Sequence, residues 1–292
     1  MPRPSVRFQA IGTHWVLDTD RELDLDDLGA VHDLIARFDA TWSRFRGDSW
    51  VCRVAAAGPG EYDLPEDAEP MLAAYDAAAL CTGGAISPLV GRALEDLGYD
   101  AGYRLRPVRD EDGNLASRPA PPWWQVRRSG GRIALDSPAL IDVGAAGKGY
   151  LVDLVSGVLS ERGVREYIVD AGGDIRVQGE PVRVALEDPS DPTRALGIVR
   201  IANEAIAGSA PNRRAWGPGL HHVLDARTGR PTDRVLSTWA IGPDALAADI
   251  AATALFFAHP DLVAARFGVQ YVVLDADRRL RWSLGIDGEM FT

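Results

Sequence analysis

The stretch from residue 142 to residue 150, Asp-Val-Gly-Ala-Ala-Gly-Lys-Gly-Tyr, constrains the fold more than any other part of the chain. Its three glycines mark a turn. Before it stand strand signals at 132–135 and the apolar pair Leu140-Ile141. After it, residues 149–162 carry Tyr150, Leu151, Leu154, Val155, Val158 and Leu159 at helical spacing. A strand follows at 167–170, then a Gly172-Gly173 turn and a neighbouring strand at 175–177. A chain that passes from strand through a glycine turn into an amphipathic helix and back to strand is neither all-α nor all-β.

The rest of the chain fits the same class. Alternating apolar residues around Phe8, Ile11, Trp15 and Leu17 predict a strand and hairpin turning at Asp18-Thr19-Asp20. Helical periodicity covers 25–38, 66–81, 89–97, 244–257 and 261–267, and short strands are expected at 182–186, 198–201 and 271–274. Residues 107–122, with Pro107, Pro119, Pro121 and Pro122, read as a surface loop. Strands and helices mix without a strict βαβ rhythm, and neither a repeat nor a linker interrupts them. The expectation is an α+β fold in a single domain, 1–292, with mixed sheets, packed helices and room for two lobes.

Charge narrows the function. The chain has 31 Lys+Arg against 42 Asp+Glu, a formal net charge of −11, which disfavours nucleic acid as the main partner. Its longest apolar stretch, 245–258, is interrupted by Asp249 and is shorter than the roughly 20 residues a membrane span needs. Cys52 and Cys81 are too few for a disulfide framework and lack C-x-x-C spacing. With no apolar leader after the first residues, the expectation is a cytoplasmic protein without membrane insertion. Of the 31 basic residues 30 are Arg, and the one Lys, Lys148, lies in the glycine turn. A compact ammonium suits a narrow place that a planar guanidinium does not.

Three segments can carry chemistry. The 142–150 turn is neither a P-loop, since Gly144 stands three residues before Gly147 and Gly149 replaces the Ser or Thr, nor a dinucleotide fingerprint. It is an anion site at a helix start or simply a tight turn. In Gly219-Leu-His-His-Val-Leu-Asp-Ala-Arg-Thr-Gly-Arg-Pro231, Asp225 follows His222 by three residues, which gives either a general base with a carboxylate nearby or ordinary turn residues. Asp249 and Thr253 are four apart on a predicted helix, so both oxygens share a face, a hard-oxygen pair suited to Mg²⁺.

Taken in order, several segments resemble the ApbE family, the FAD:protein FMN transferases. They are Gly12-Thr13, residues 42–49, residues 83–88, Asp142 to Tyr150 with Asp153, residues 170–179, Ala207-Gly208-Ser209, residues 222–231, and Ala248-Asp249 through Thr253. The resemblance implies an enzyme that binds FAD and Mg²⁺ and esterifies FMN onto a Thr or Ser of an acceptor flavoprotein, releasing AMP. It implies metal ligation by the Gly147 carbonyl, Asp249 and Thr253. It implies FAD contacts at Ile11, Gly12, Phe45, Ala85, Ile86, Ser87, Asp142 and Lys148. It implies catalytic roles for His222, supported by Asp225, and for Lys148. Departures from the family pattern are Ile11 where Met is usual, Ile86-Ser87 for Phe-Asp, Ser209 to Arg214 for Ser-Gly-Asp-Tyr-Glu-Arg, and Asp225-Ala226 for Asp-Pro. Two other activities fit the same residues: FAD pyrophosphatase, and a carrier that keeps FAD intact.

Overall fold

The computed structural model describes residues 3–291. The helices are α1 (Leu25–Trp42), α2 (Trp50–Ala57), α3 (Ala68–Cys81), α4 (Gly91–Asp96), α5 (Gly147–Glu161), α6 (Ala245–Ala254) and α7 (Pro260–Phe267). The first ten strands are β1 (Ser5–Ala10), β2 (Thr13–Thr19), β3 (Gly60–Asp63), β4 (Arg127–Ser129), β5 (Arg132–Leu135), β6 (Tyr167–Asp170), β7 (Asp174–Gln178), β8 (Val182–Asp188), β9 (Asp191–Ile201) and β10 (Ala205–Ser209). Eight follow: β11 (Ala215–Gly217), β12 (Leu220–His221), β13 (Leu224–Asp225), β14 (Arg230–Pro231), β15 (Val235–Gly242), β16 (Gln270–Asp275), β17 (Leu280–Trp282) and β18 (Gly288–Met290). The class is the expected α+β. Among the described residues no helix is long and apolar enough to cross a membrane.

The chain divides into two compact units. The first comprises 1–37, 146–210 and 234–292. Its frame is an eight-stranded sheet in the order β1-β2-β6-β7-β10-β15-β16-β17, antiparallel at every step. Strands β18, β9 and β8 form a second, three-stranded sheet. Val177, Leu186, Val199, Ile201, Ile206, Ile241 and Val272 make one buried apolar cluster within this unit. Helices α5 and α6 lie against each other, α6 against β10 and β15, and α5 against β7.

Close approach of α5 to α6 depends on a glycine. A Cβ at Gly149 would stand 2.1 Å from the Ala245 carbonyl oxygen and 2.6 Å from the Asp249 Cβ, so no larger residue fits without moving a helix. The start of α6 is fixed twice. Asp244 caps it by accepting from the Ala247 N–H, and Asp153 on α5 accepts from the N–H groups of Ala245 and Leu246 at 2.9 and 2.8 Å. Burial pushes the Asp153 carboxyl up to about 6, against the pull of those two hydrogen bonds.

The second unit comprises 38–145 and 211–233. It holds α2, α3 and α4, the small sheet β3-β5-β4, and two short hairpins, β11-β12 and β13-β14. Ala93, Leu94, Leu97, Tyr99, Leu220 and Leu224 form its apolar cluster, with Phe45, Leu115 and Trp216 packed against it.

Two sequence expectations are corrected. The first hairpin turns at Ile11-Gly12, not at Asp18-Thr19-Asp20, because β2 runs to Thr19 and pairs there with Tyr167. Ile11 and Gly12 take φ of 46° and 77°, a left-handed pair that matches the twist of a two-residue hairpin and that a β-branched residue does not advertise. The second concerns residues 89–97, which form a 3-10 turn at 88–90 followed by the short α4 rather than one helix.

Candidate functional site

The first unit gathers its charged candidates at the head of α5. Helix α5 starts at Gly147, so Gly147, Lys148 and Gly149 form its first turn, where backbone N–H groups lack helical partners. One of them is used: the Gly149 N–H donates to Asp249 Oδ2 at 2.8 Å. Asp249 lies in the middle of α6 and is 4% exposed. Thr253, one turn further along α6, is half-buried. Burial raises the Asp249 carboxyl above the usual carboxylate range, and the charge of Asp174 raises it further.

Asp174 is the residue the sequence reading passed over. It opens β7 directly after the Gly172-Gly173 turn and is fully buried. Its Oδ2 lies 2.6 Å from the Lys148 Nζ. Burial raises the Asp174 carboxyl, and Lys148 pulls it back. Lys148 therefore reaches from the first turn of α5 to a buried carboxylate, and its charge also acts on Asp249. Among the described residues no three His, Cys, Asp or Glu side chains lie together as a metal site.

The second unit holds the remaining candidates. Arg44, 4% exposed, pairs with Asp142 through Nε, and its Nη1 donates to the Tyr99 carbonyl at 2.7 Å. The guanidinium lies over the rings of Phe45 and Tyr99, 4.2 and 4.7 Å from their centroids. Phe45 stacks on Tyr103 and Tyr99 on Trp216. Asp142 also accepts from the Gly144 N–H at 2.8 Å. Arg44 lies in the 42–49 segment noted in the sequence, but its burial carried no signal there, since an Arg in an Arg-rich chain gives none.

The two adjacent histidines separate cleanly. His221 has both ring nitrogens engaged, Nε2 with the Thr232 carbonyl at 2.8 Å and Nδ1 with the Val223 N–H at 3.3 Å. His222 is hydrogen-bonded to the backbone of Arg214, while its Nδ1 is buried and without a partner among the described residues. Burial, then the nearby Arg214 charge, pushes the His222 imidazole down to about 4. It is neutral at pH 7, with one nitrogen free to take a proton.

Asp225 is not brought to His222. Its carboxylate binds Arg227 at 2.9 and 2.6 Å and caps the Arg227 N–H, which spends it inside the Asp-Ala-Arg-Thr-Gly turn. Ala85, Ile86 and Ser87 are buried. Ser87 Oγ accepts from Leu89 N, and the Ala85 carbonyl accepts from Ala226 N, so the segment braces the 222–231 loop. Ile11 and Gly12 form the hairpin tip of the first unit.

The chain matches the sequence model of the ApbE family over residues 11–271. A protein of Rhodobacter capsulatus named FAD:protein FMN transferase is 29% identical over 281 residues, covering 91% of this chain and 53% of its own length. One of Vibrio cholerae with the same name is 31% identical over 185 residues, covering 60% of this chain and 55% of its own. The chain thus spans about half the length of these curated relatives. In fold it is similar to the crystal structure of the ApbE protein of Thermotoga maritima, with a TM-score of 0.80 at 22% identity and 97% of each chain covered. Flavin transferase ApbE of Vibrio cholerae gives 0.80 at 21% identity, again over 97% of each chain.

Proposed function

This chain belongs to the ApbE family, and from that we propose that it is a Mg²⁺-dependent flavin transferase, moving FMN from FAD to a Thr or Ser hydroxyl of an acceptor protein and releasing AMP. The observation that carries the reading is the head of α5, where two buried carboxylates and the only lysine meet at an open helix start. Asp174 has the Lys148 ammonium and the likewise buried Asp249 carboxyl beside it, so one positive charge faces two acids. A small hard cation fits that deficit, held by Asp249, the Thr253 hydroxyl and the Gly147 carbonyl. When bound, Mg²⁺ supplies charge neutralisation for the diphosphate.

The chain's own residues do the rest. Lys148 and the N–H groups at the start of α5 bind diphosphate oxygens and offset charge as it gathers on the leaving AMP. Phe45, held between the Arg44 guanidinium and the Tyr103 ring, gives FAD its edge, and Asp142, fixed by Arg44, offers a carboxylate to FAD. Ile11 and Gly12 present the hairpin backbone to FAD, and the buried 85–87 segment shapes its surroundings. His222 Nδ1 takes the proton of the acceptor hydroxyl as that oxygen bonds to the FMN phosphorus and the bond to the bridging oxygen breaks. Asp225 serves this step by holding the 222–231 loop through Arg227, not by touching the imidazole.

The test is incubation with FAD, Mg²⁺ and a candidate acceptor, with AMP release and the intact mass of the acceptor read together. AMP with a flavinylated acceptor supports transfer. AMP with free FMN supports hydrolysis, and intact FAD supports a carrier.

A further inference from the structure

Asp174 has an expensive position. A carboxylate with no exposed surface normally collects backbone N–H groups or hydroxyls, and neither oxygen of Asp174 does so among the described residues. Its near neighbours on the same fold are the Lys148 ammonium at 2.6 Å and the Asp249 carboxylate, whose charge opposes its own. An apolar residue of similar volume in β7 would serve the sheet as well or better. The service that Asp174 performs is therefore to Lys148.

That service is positional. A lysine side chain has four rotatable bonds and a point charge, so holding it in one place costs rotamer freedom that a partner must offset. A cation that meets a reacting diphosphate loses most of its effect when it drifts by about an ångström. Lys148 is 22% exposed in its side chain and anchored at one end only by its own backbone on α5, while Asp174 belongs to β7, a strand hydrogen-bonded on both sides in the eight-stranded sheet. We infer that Asp174 is a positioning residue, which ties the Lys148 ammonium to the sheet and so sets where an anionic diphosphate is received at the head of α5. The inference rests on the flavin-transfer reading for the identity of the diphosphate, and not for the tether itself.

The composition of the chain supplies an unusually direct measurement. Lys148 is the only lysine, so growth on lysine labelled with ¹³C at Cε gives one side-chain methylene resonance, with no assignment needed. Relaxation of that methylene in the wild type should report a restricted side chain, and in Asp174→Asn, which keeps the shape and removes the charge, a freely averaging one. FAD affinity, measured in the presence of Mg²⁺, should fall at least about tenfold in Asp174→Asn and in Lys148→Met, and no further in the double variant. A freely averaging methylene in the wild type overturns the inference even if Asp174→Asn does not fold. So does a methylene that stays restricted in Asp174→Asn, or a loss of affinity that multiplies in the double variant. If the wild type shows the restricted methylene but binds no FAD, the flavin reading fails while the tether stands.

Discussion

At the scale of single residues, the chemistry is assigned by what each polar group has left to offer. Lys148→Arg should keep its thermal stability and lose roughly 100-fold in FAD binding or AMP release, because the wider guanidinium displaces whatever the ammonium meets. Titration and turnover of the two proteins side by side check this, and equal values would return Lys148 to a role in folding alone. His222→Ala should still bind FAD and lose about 10²–10⁴-fold in transfer. The burial that holds its imidazole down to about 4 also sets the pH dependence. The ring stays neutral as pH falls from 7 to 5, so the acid limb of kcat/KM should lie near pH 4, and a limb centred near 6.5 would point to another base. The residues that faced these assignments were unequally legible in sequence. Adjacent histidines cannot be told apart until one is seen with both nitrogens engaged, and Asp225 beside His222 in sequence turned out to face Arg227. Asp174 was hidden because an aspartate after two glycines reads as an exposed turn residue, whereas the sheet buries it.

Among the elements, α5 and α6 were readable and their contact was not. Each shows its apolar face or its small residues at helical spacing, but the reason Gly149 is glycine lies 96 residues away at Ala245. Gly149→Ala gains helix propensity on α5 and yet should destabilise the protein by roughly 1–3 kcal/mol, since the added methyl must push α6 aside. The same shift separates the Gly149 N–H from Asp249, so Mg²⁺ affinity should fall with stability. Denaturant unfolding and metal titration of this variant give the two numbers, and a variant as stable and as metal-competent as the wild type would show that the helices have slack. The missed hairpin turn has a similar cause. Ile11 adopts a left-handed backbone that its side chain disfavours, so the sequence signal moved to Asp18-Thr19-Asp20, where the chain is still strand.

For the molecule as a whole, ligand binding and stability are one measurement. FAD at 100 times its dissociation constant should add about 2.7 kcal/mol to the folded state. If Mg²⁺ and FAD bind as proposed, the rise in melting temperature with both should exceed the sum of the rises with either, and Asp249→Asn, which keeps an acceptor for the Gly149 N–H, should lose that excess. Additive shifts in the wild type would separate the metal from the flavin.

The large sheet has one further property. Its spatial order, β1-β2-β6-β7-β10-β15-β16-β17, is also the order of the chain, although long excursions fall between several of these strands. A ribosome therefore delivers the strands in the sequence in which they pair, and each arrival finds its neighbour already made. Throughout synthesis the outer edge of β1 stays as it was, and each new strand of the sheet pairs with the strand of it made last.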